Sequence, residues 1–126
     1  MKRLELSEAE KYIMDQFWQH GAMTGNDVAK LVRQKGWKRT TLYTFLARLI
    51  QKGMLRVEKG ESANTYVCNV TKESYGSELG RQFLEEMYGG RAKDFLASMI
   101  TSSYLTQDDI HELQEWLVEQ GGQINV

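Results

Sequence analysis

Apolar residues along this chain recur first at helical spacing, then at every second position, then at helical spacing again. Ala9, Ile13, Met14, Phe17 and Trp18 make the first stripe, and Gly21 closes the helix that carries it. Ser7-Glu8-Ala9-Glu10 opens that helix as a capping box. The Ser7 hydroxyl can accept from the Glu10 N–H while the Glu10 carboxylate accepts from the Ser7 N–H. After a short extended link, Ala22-Met23-Thr24, a second helix starts at Thr24 or Asn26 and ends near Gly36, with Val28, Leu31 and Val32 inward. A third starts at Arg39 or Thr40. Its apolar set, Leu42, Phe45, Leu46, Leu49 and Ile50, matches the full i, i+3, i+4, i+7, i+8 template. Gly53 stands where a helix C-cap is expected.

The period then changes to two. Met54 to Lys59 alternates, Gly60-Glu61-Ser62-Ala63 is polar and turn-forming, and Asn64 to Val70 alternates again. That pattern predicts a β-hairpin. Helical spacing returns from Thr71 or Ser74 through Leu79, Phe83, Leu84, Met87 and Tyr88, and Gly89-Gly90 stops it. A short helix from Lys93 to about Thr101 and a last one capped by Thr106-Gln107-Asp108-Asp109 complete the pattern. The chain is therefore expected to be mainly α with a small β-hairpin wing. Residues 1–70 form a winged helix–turn–helix and residues 71–126 a helical dimerisation region.

Charge sharpens this division. The formal net charge of −1 conceals two halves of opposite sign. Residues 1–60 carry twelve Lys/Arg against six Asp/Glu, and residues 61–126 carry four against eleven. Between Lys30 and Lys59 there are nine Lys or Arg and one acid, Glu58. A half that faces a polyanion and a half that does not would have this asymmetry.

The third helix carries the candidate chemistry. A helix that reads DNA needs an apolar inner face to dock on its own domain, and Leu42, Phe45, Leu46 and Leu49 supply it. Its outer face must be short and hydrogen-bonding to approach base edges. Thr40, Thr41, Tyr43 and Thr44, with Ala47 beside them, fit that need as base contacts. Cations must flank the face to neutralise phosphates: Lys38, Arg39, Arg48 and Lys52 do so on the helix, Arg56 and Lys59 on the wing. Trp37 reads as a packing residue at the turn. In the second half, Leu79, Phe83, Met87, Phe95, Leu96, Met99, Leu105, Leu113, Trp116 and Leu117 exceed what short helices can hide alone. All but Leu105 are taken as the interface with a second copy.

These stretches resemble the penicillinase-repressor family (BlaI/MecI type, with the CopY repressors). The likeness runs through Leu6 to Glu10, Met14, Phe17-Trp18, Trp37, Thr41 to Leu49, and Lys52-Gly53-Met54-Leu55. It continues through Tyr66, Phe83, Tyr88-Gly89-Gly90, Leu105 to Ile110, and Leu113. The resemblance implies a homodimeric repressor on a palindromic operator. It puts base reading on Thr40, Thr41, Tyr43 and Thr44 and a phosphate contact on Arg48. It also implies a link to antibiotic resistance and a membrane-linked sensor protease as partner, with cleavage near residues 95–101. Two departures predict a different operator: Lys38-Arg39 replace the small residues that commonly follow the tryptophan, and Tyr43 stands at a place that is often basic.

Other classes find little support. Cys68 is the sole cysteine, so no intrachain disulfide forms and a thiolate metal site within one chain is excluded. No metal or cofactor is expected. His20 and His111 are isolated surface residues. Ser102-Ser103, Asp108-Asp109 and Glu85-Glu86 are explained by a loop, a cap and a solvated face, so an enzyme is not expected. No apolar run approaches the roughly 20 residues of a membrane span, which points to the cytoplasm and to no membrane insertion. The rival is a winged-helix protein–protein adaptor, which would not need the outward cations.

Overall fold

The structure is a computed structural model and describes residues 5–121. Helix α1, Glu8–His20, begins with the expected capping box: Glu10 N donates to Ser7 Oγ (3.1 Å) and Ser7 N donates to Glu10 Oε1 (2.9 Å). Strand β1, Met23–Thr24, leads directly into α2, Gly25–Leu31. Of the two possible caps it is Thr24 that serves, in a reciprocal box with Asp27. A single 3-10 turn, Arg33–Lys35, ends at Gly36 with φ 70°, a backbone that only glycine adopts freely. Helix α3 is Arg39–Gln51, β2 is Leu55–Glu58 and β3 is Thr65–Cys68.

The expected two-stranded hairpin has a third member. Strand β1 pairs antiparallel with β3, Met23 opposite Tyr66 and Thr24 opposite Thr65. On its other side β3 pairs with β2, Leu55 opposite Cys68 through Glu58 opposite Thr65. The sheet order is β1-β3-β2. A two-residue strand is too short to show alternation, and only its pairing with β3 makes it a strand.

One core lies behind these elements. It is built from Ile13, Met14 and Phe17 of α1, Met23 of β1, Val28 and Val32, and Leu42, Leu46 and Leu49 of α3, with Met54, Leu55, Val70 and Tyr75. Ile50 departs from the expected inner face and is exposed. The sequence offered five apolar-face positions from Leu42 to Ile50, more than one side of α3 buries. Trp37 packs as expected, its ring edge-on to Tyr12 (6.2 Å) and to Phe45 (5.1 Å). Trp18 donates from Nε1 to the Val70 carbonyl at 3.1 Å and lies against Tyr75 at 5.5 Å.

Helix α4 is Lys72–Tyr88, α5 is Ala92–Thr101 and α6 is Gln107–Gln120. The chain divides into two compact units, a first through Leu79 and a second from Gly80 onward. The division falls beyond residue 70 because Tyr75, in the second turn of α4, is 6% exposed and belongs to the first core. In the second unit Phe83, Tyr88 and Phe95 form an aromatic cluster with centroids 5.4–6.0 Å apart. The Tyr88 and Ser98 hydroxyls share a hydrogen bond of 3.2 Å. Neither α5 nor α6 has a buried residue. No helix among the described residues is long and apolar enough to cross a membrane.

Candidate nucleic-acid interface

Leu42, Leu46 and Leu49 hold α3 on the core, and that orientation fixes what its other side presents. Arg39, Thr40, Tyr43, Thr44, Ala47, Arg48 and Gln51 line one shallow, open surface. The row contains no carboxylate, and its charges are both arginines. Short hydroxyls and a methyl between two guanidiniums can meet base edges in the centre and phosphates at the ends.

The start of α3 has an unusual electrostatic character. Lys38 is its N-cap and offers no side-chain acceptor, Arg39 follows, and the first turn holds no acid. Cations there oppose the helix dipole, at a cost of about 0.3–1 kcal/mol each near a helix end. Helices α1, α2 and α6 all place acids in that turn. An arrangement unfavourable to the isolated helix is favourable once an anion arrives at its N-terminus.

The expected contact residues do not all reach this surface. Thr40, Tyr43, Thr44 and Arg48 do. Thr44 Oγ1 donates to the Thr40 carbonyl at 3.0 Å, which leaves its lone pairs outward. Thr41 is half-buried and off the row. Arg39 is on it but tied by Nη1 to Asn26 Oδ1 at 2.7 Å. Lys38 and Lys59 are exposed, Lys59 directly after β2. Arg56 is braced at the base of the wing, donating to Asn69 Oδ1 (3.0 Å) and paired with Glu58 (3.0 Å). Gln51, the last residue of α3, joins the row unforeseen; its signal was the spacing from Tyr43, Thr44, Ala47 and Arg48.

Lys52 departs most from expectation. Its ammonium lies 2.5 Å from Glu10 Oε1 and 2.6 Å from the Glu5 carbonyl. Glu10 is 2% exposed, so its charge must be compensated where it sits. Burial pushes the Glu10 carboxyl up, but the Lys52 hydrogen bond, the Ser7 N–H, the Lys52 charge and Arg48 outweigh it and hold it below the ordinary glutamate value. Lys52 therefore joins the end of α3 to the start of α1, and a phosphate would have to compete with a buried carboxylate for it. The sequence places it in a cluster of cations, and Glu10 reads there only as a helix cap.

Burial also raises the phenol of Tyr75 on α4, and two more perturbed groups lie on the sheet. Burial raises the Cys68 thiol, and burial followed by the charge of Tyr43 raises the Tyr66 phenol. Among the described residues no three His, Cys, Asp or Glu side chains gather as a metal site.

A helix presented outward over a second helix, beside a three-stranded sheet with an exposed turn, defines a winged helix–turn–helix DNA-binding protein. The penicillinase repressor family model matches residues 6–119. The penicillinase repressor of Bacillus licheniformis is 30% identical over 94% of both chains. The methicillin resistance regulatory protein MecI of Staphylococcus aureus is 26% identical over 92% of this chain and 95% of its own. The solution structure of the DNA-binding domain of the repressor BlaI superposes with a TM-score of 0.53 at 33% identity, covering 59% of this chain and 92% of that domain. This chain belongs to the penicillinase repressor family and is a DNA-binding repressor of transcription, not an enzyme.

Proposed function

We propose that two copies of this chain bind a palindromic operator, each placing α3 in the major groove. The carboxylate-free row from Arg39 to Gln51 carries this reading. Thr40, Tyr43 and Thr44 meet base edges, with Thr41 at their flank. Lys38, Arg39, Arg48 and Lys59 bind phosphates, and Arg56 supports the wing against the backbone. Lys52 acts from behind, by holding α3 to Glu10.

The second copy is supported by what the second unit leaves uncovered. Phe83, Met87, Leu96, Leu113, Trp116 and Leu117 are exposed, Phe95 and Met99 half-buried, and Leu79 is exposed at the end of the first unit. A two-fold pair would set its recognition helices about one DNA turn, or a multiple, apart. The relatives' names connect them with penicillinase and methicillin resistance, which supports control of an antibiotic-resistance gene; a repressor of this kind acts where the operator DNA is, in the cytoplasm. A sensor-protease partner cutting at residues 95–101 would have to unwind α5, which is helical through that stretch.

Selection from a random duplex library tests the whole reading. The expected product is an inverted repeat, bound less tightly as salt rises because the arginines and lysines displace counterions. Enrichment of no inverted repeat, or binding indifferent to salt, overturns it.

A further inference from the structure

Two neighbouring residues of α2 set the position of two side chains on the DNA-facing row of α3. Asn26 accepts from Arg39, as described above. Gly25, buried, lies under the ring of Tyr43. A Cβ built on Gly25 would overlap the Tyr43 hydroxyl and stand 2.8 Å from Cε1 and Cζ, inside van der Waals contact. Gly25 opens α2 behind its Thr24 cap and has no left-handed φ, so its backbone does not require glycine. Alanine is favoured there on helix propensity alone. The steric requirement for glycine comes from Tyr43.

Tyr43 in this seat borders a cleft with Thr24, Asn26, Ala63, Asn64 and Tyr66. Tyr66 belongs to the central strand of the sheet and lines the same cleft. Tyr43 is thus partly exposed on the reading surface while its ring leans back toward α2 and the wing.

We propose that Gly25 is a specificity-determining residue: by leaving room for the Tyr43 ring it fixes where the phenol hydroxyl meets the operator. It is a positioning residue that touches no base itself. The inference rests on the DNA-reading role of α3 proposed above. A side chain at position 25 evicts the phenol from its seat, and the base step beneath Tyr43 is then read differently or not at all.

Four proteins passed through the same random-duplex selection test this: the parent, Gly25→Ala, Tyr43→Ala and the double variant. Circular dichroism melts first establish that each is folded. Gly25→Ala is expected to lose about tenfold in discrimination at the bases read by Tyr43, the range for one good base contact, while preference elsewhere in the half-site stays. In the Tyr43→Ala background the same Gly25→Ala change is expected to do nothing further. A folded Gly25→Ala protein with the parent's preference overturns the inference and leaves the operator reading standing. So does an equal effect of Gly25→Ala with and without Tyr43. If the parent itself enriches no duplex, both fall together. In the free protein, nuclear Overhauser contacts between the Gly25 α-protons and the Tyr43 ring are expected, and their absence overturns the seat whatever the DNA result.

Discussion

The two units of this chain handle apolar surface in opposite ways. Through Leu79, thirteen hydrophobic residues are buried in one core drawn from four helices and the sheet. From Gly80 onward the apolar stripes are as regular, yet Met87 is 65% and Val118 80% exposed and α6 buries nothing. The first unit completes itself, whereas the second presents stripes that only another surface can cover. The physical difference is in packing: α1, α2 and α3 contact one another and the sheet around one shared core, while α5 and α6 each carry an apolar stripe and no buried residue.

Breaking the second unit should have the largest effect. Trp116→Glu puts a charge into the exposed stripe of α6 and is expected to halve the mass seen by light scattering. Operator affinity should fall about 100-fold or more as two tethered reading heads become one. A parent protein already monomeric at micromolar concentration would remove the contrast. Next comes the closed core. Leu46 is fully buried, so Leu46→Ala should lose about 2–5 kcal/mol in urea unfolding. A loss well under 1 kcal/mol would mean that the first core is looser than it is drawn.

Lys52→Met separates structure from DNA contact. It strands the buried Glu10 carboxylate and should destabilise the fold by about 3 kcal/mol near neutral pH. The sign of the pH dependence follows from Glu10. Its folded pKa lies below that of the unfolded carboxyl, so its contribution is present above the unfolded value and is lost as pH falls through the folded one. Unfolding measured from pH 7 to pH 3 should therefore show a smaller acid loss in Lys52→Met than in the parent. Equal slopes would sink the latch. The smallest effect is expected from Arg48→Ala, which should weaken all duplexes alike and lower the salt slope by about one. A change of base preference alone would reassign Arg48.

Much of this was legible in the chain and some was not, for reasons that name themselves. The capping boxes at Ser7 and Thr106 were readable because each is settled within four residues. The inner face of α3 was readable at Leu42, Leu46 and Leu49 because helical period and burial coincide there. Ile50 fits the same period yet lies exposed, since period alone does not say how wide the covered side is. Strand β1, the Glu10–Lys52 latch and the Gly25 seat were not readable. Each joins residues far apart in sequence, and neither partner carries a local signature of the other. For the same reason the cations looked alike, although Lys38 and Lys59 face solvent while Lys52 holds two helices together.

The order of the sheet has a consequence for how such a protein behaves when concentrated. Its longest exposed edge belongs to β2, four residues in which Arg56 and Glu58 are charged and paired with each other. The opposite edge, β1, is two residues long. A stray strand finds little ladder to extend on either side. The wing can therefore stay open to solvent without becoming a seed for fibrous aggregation.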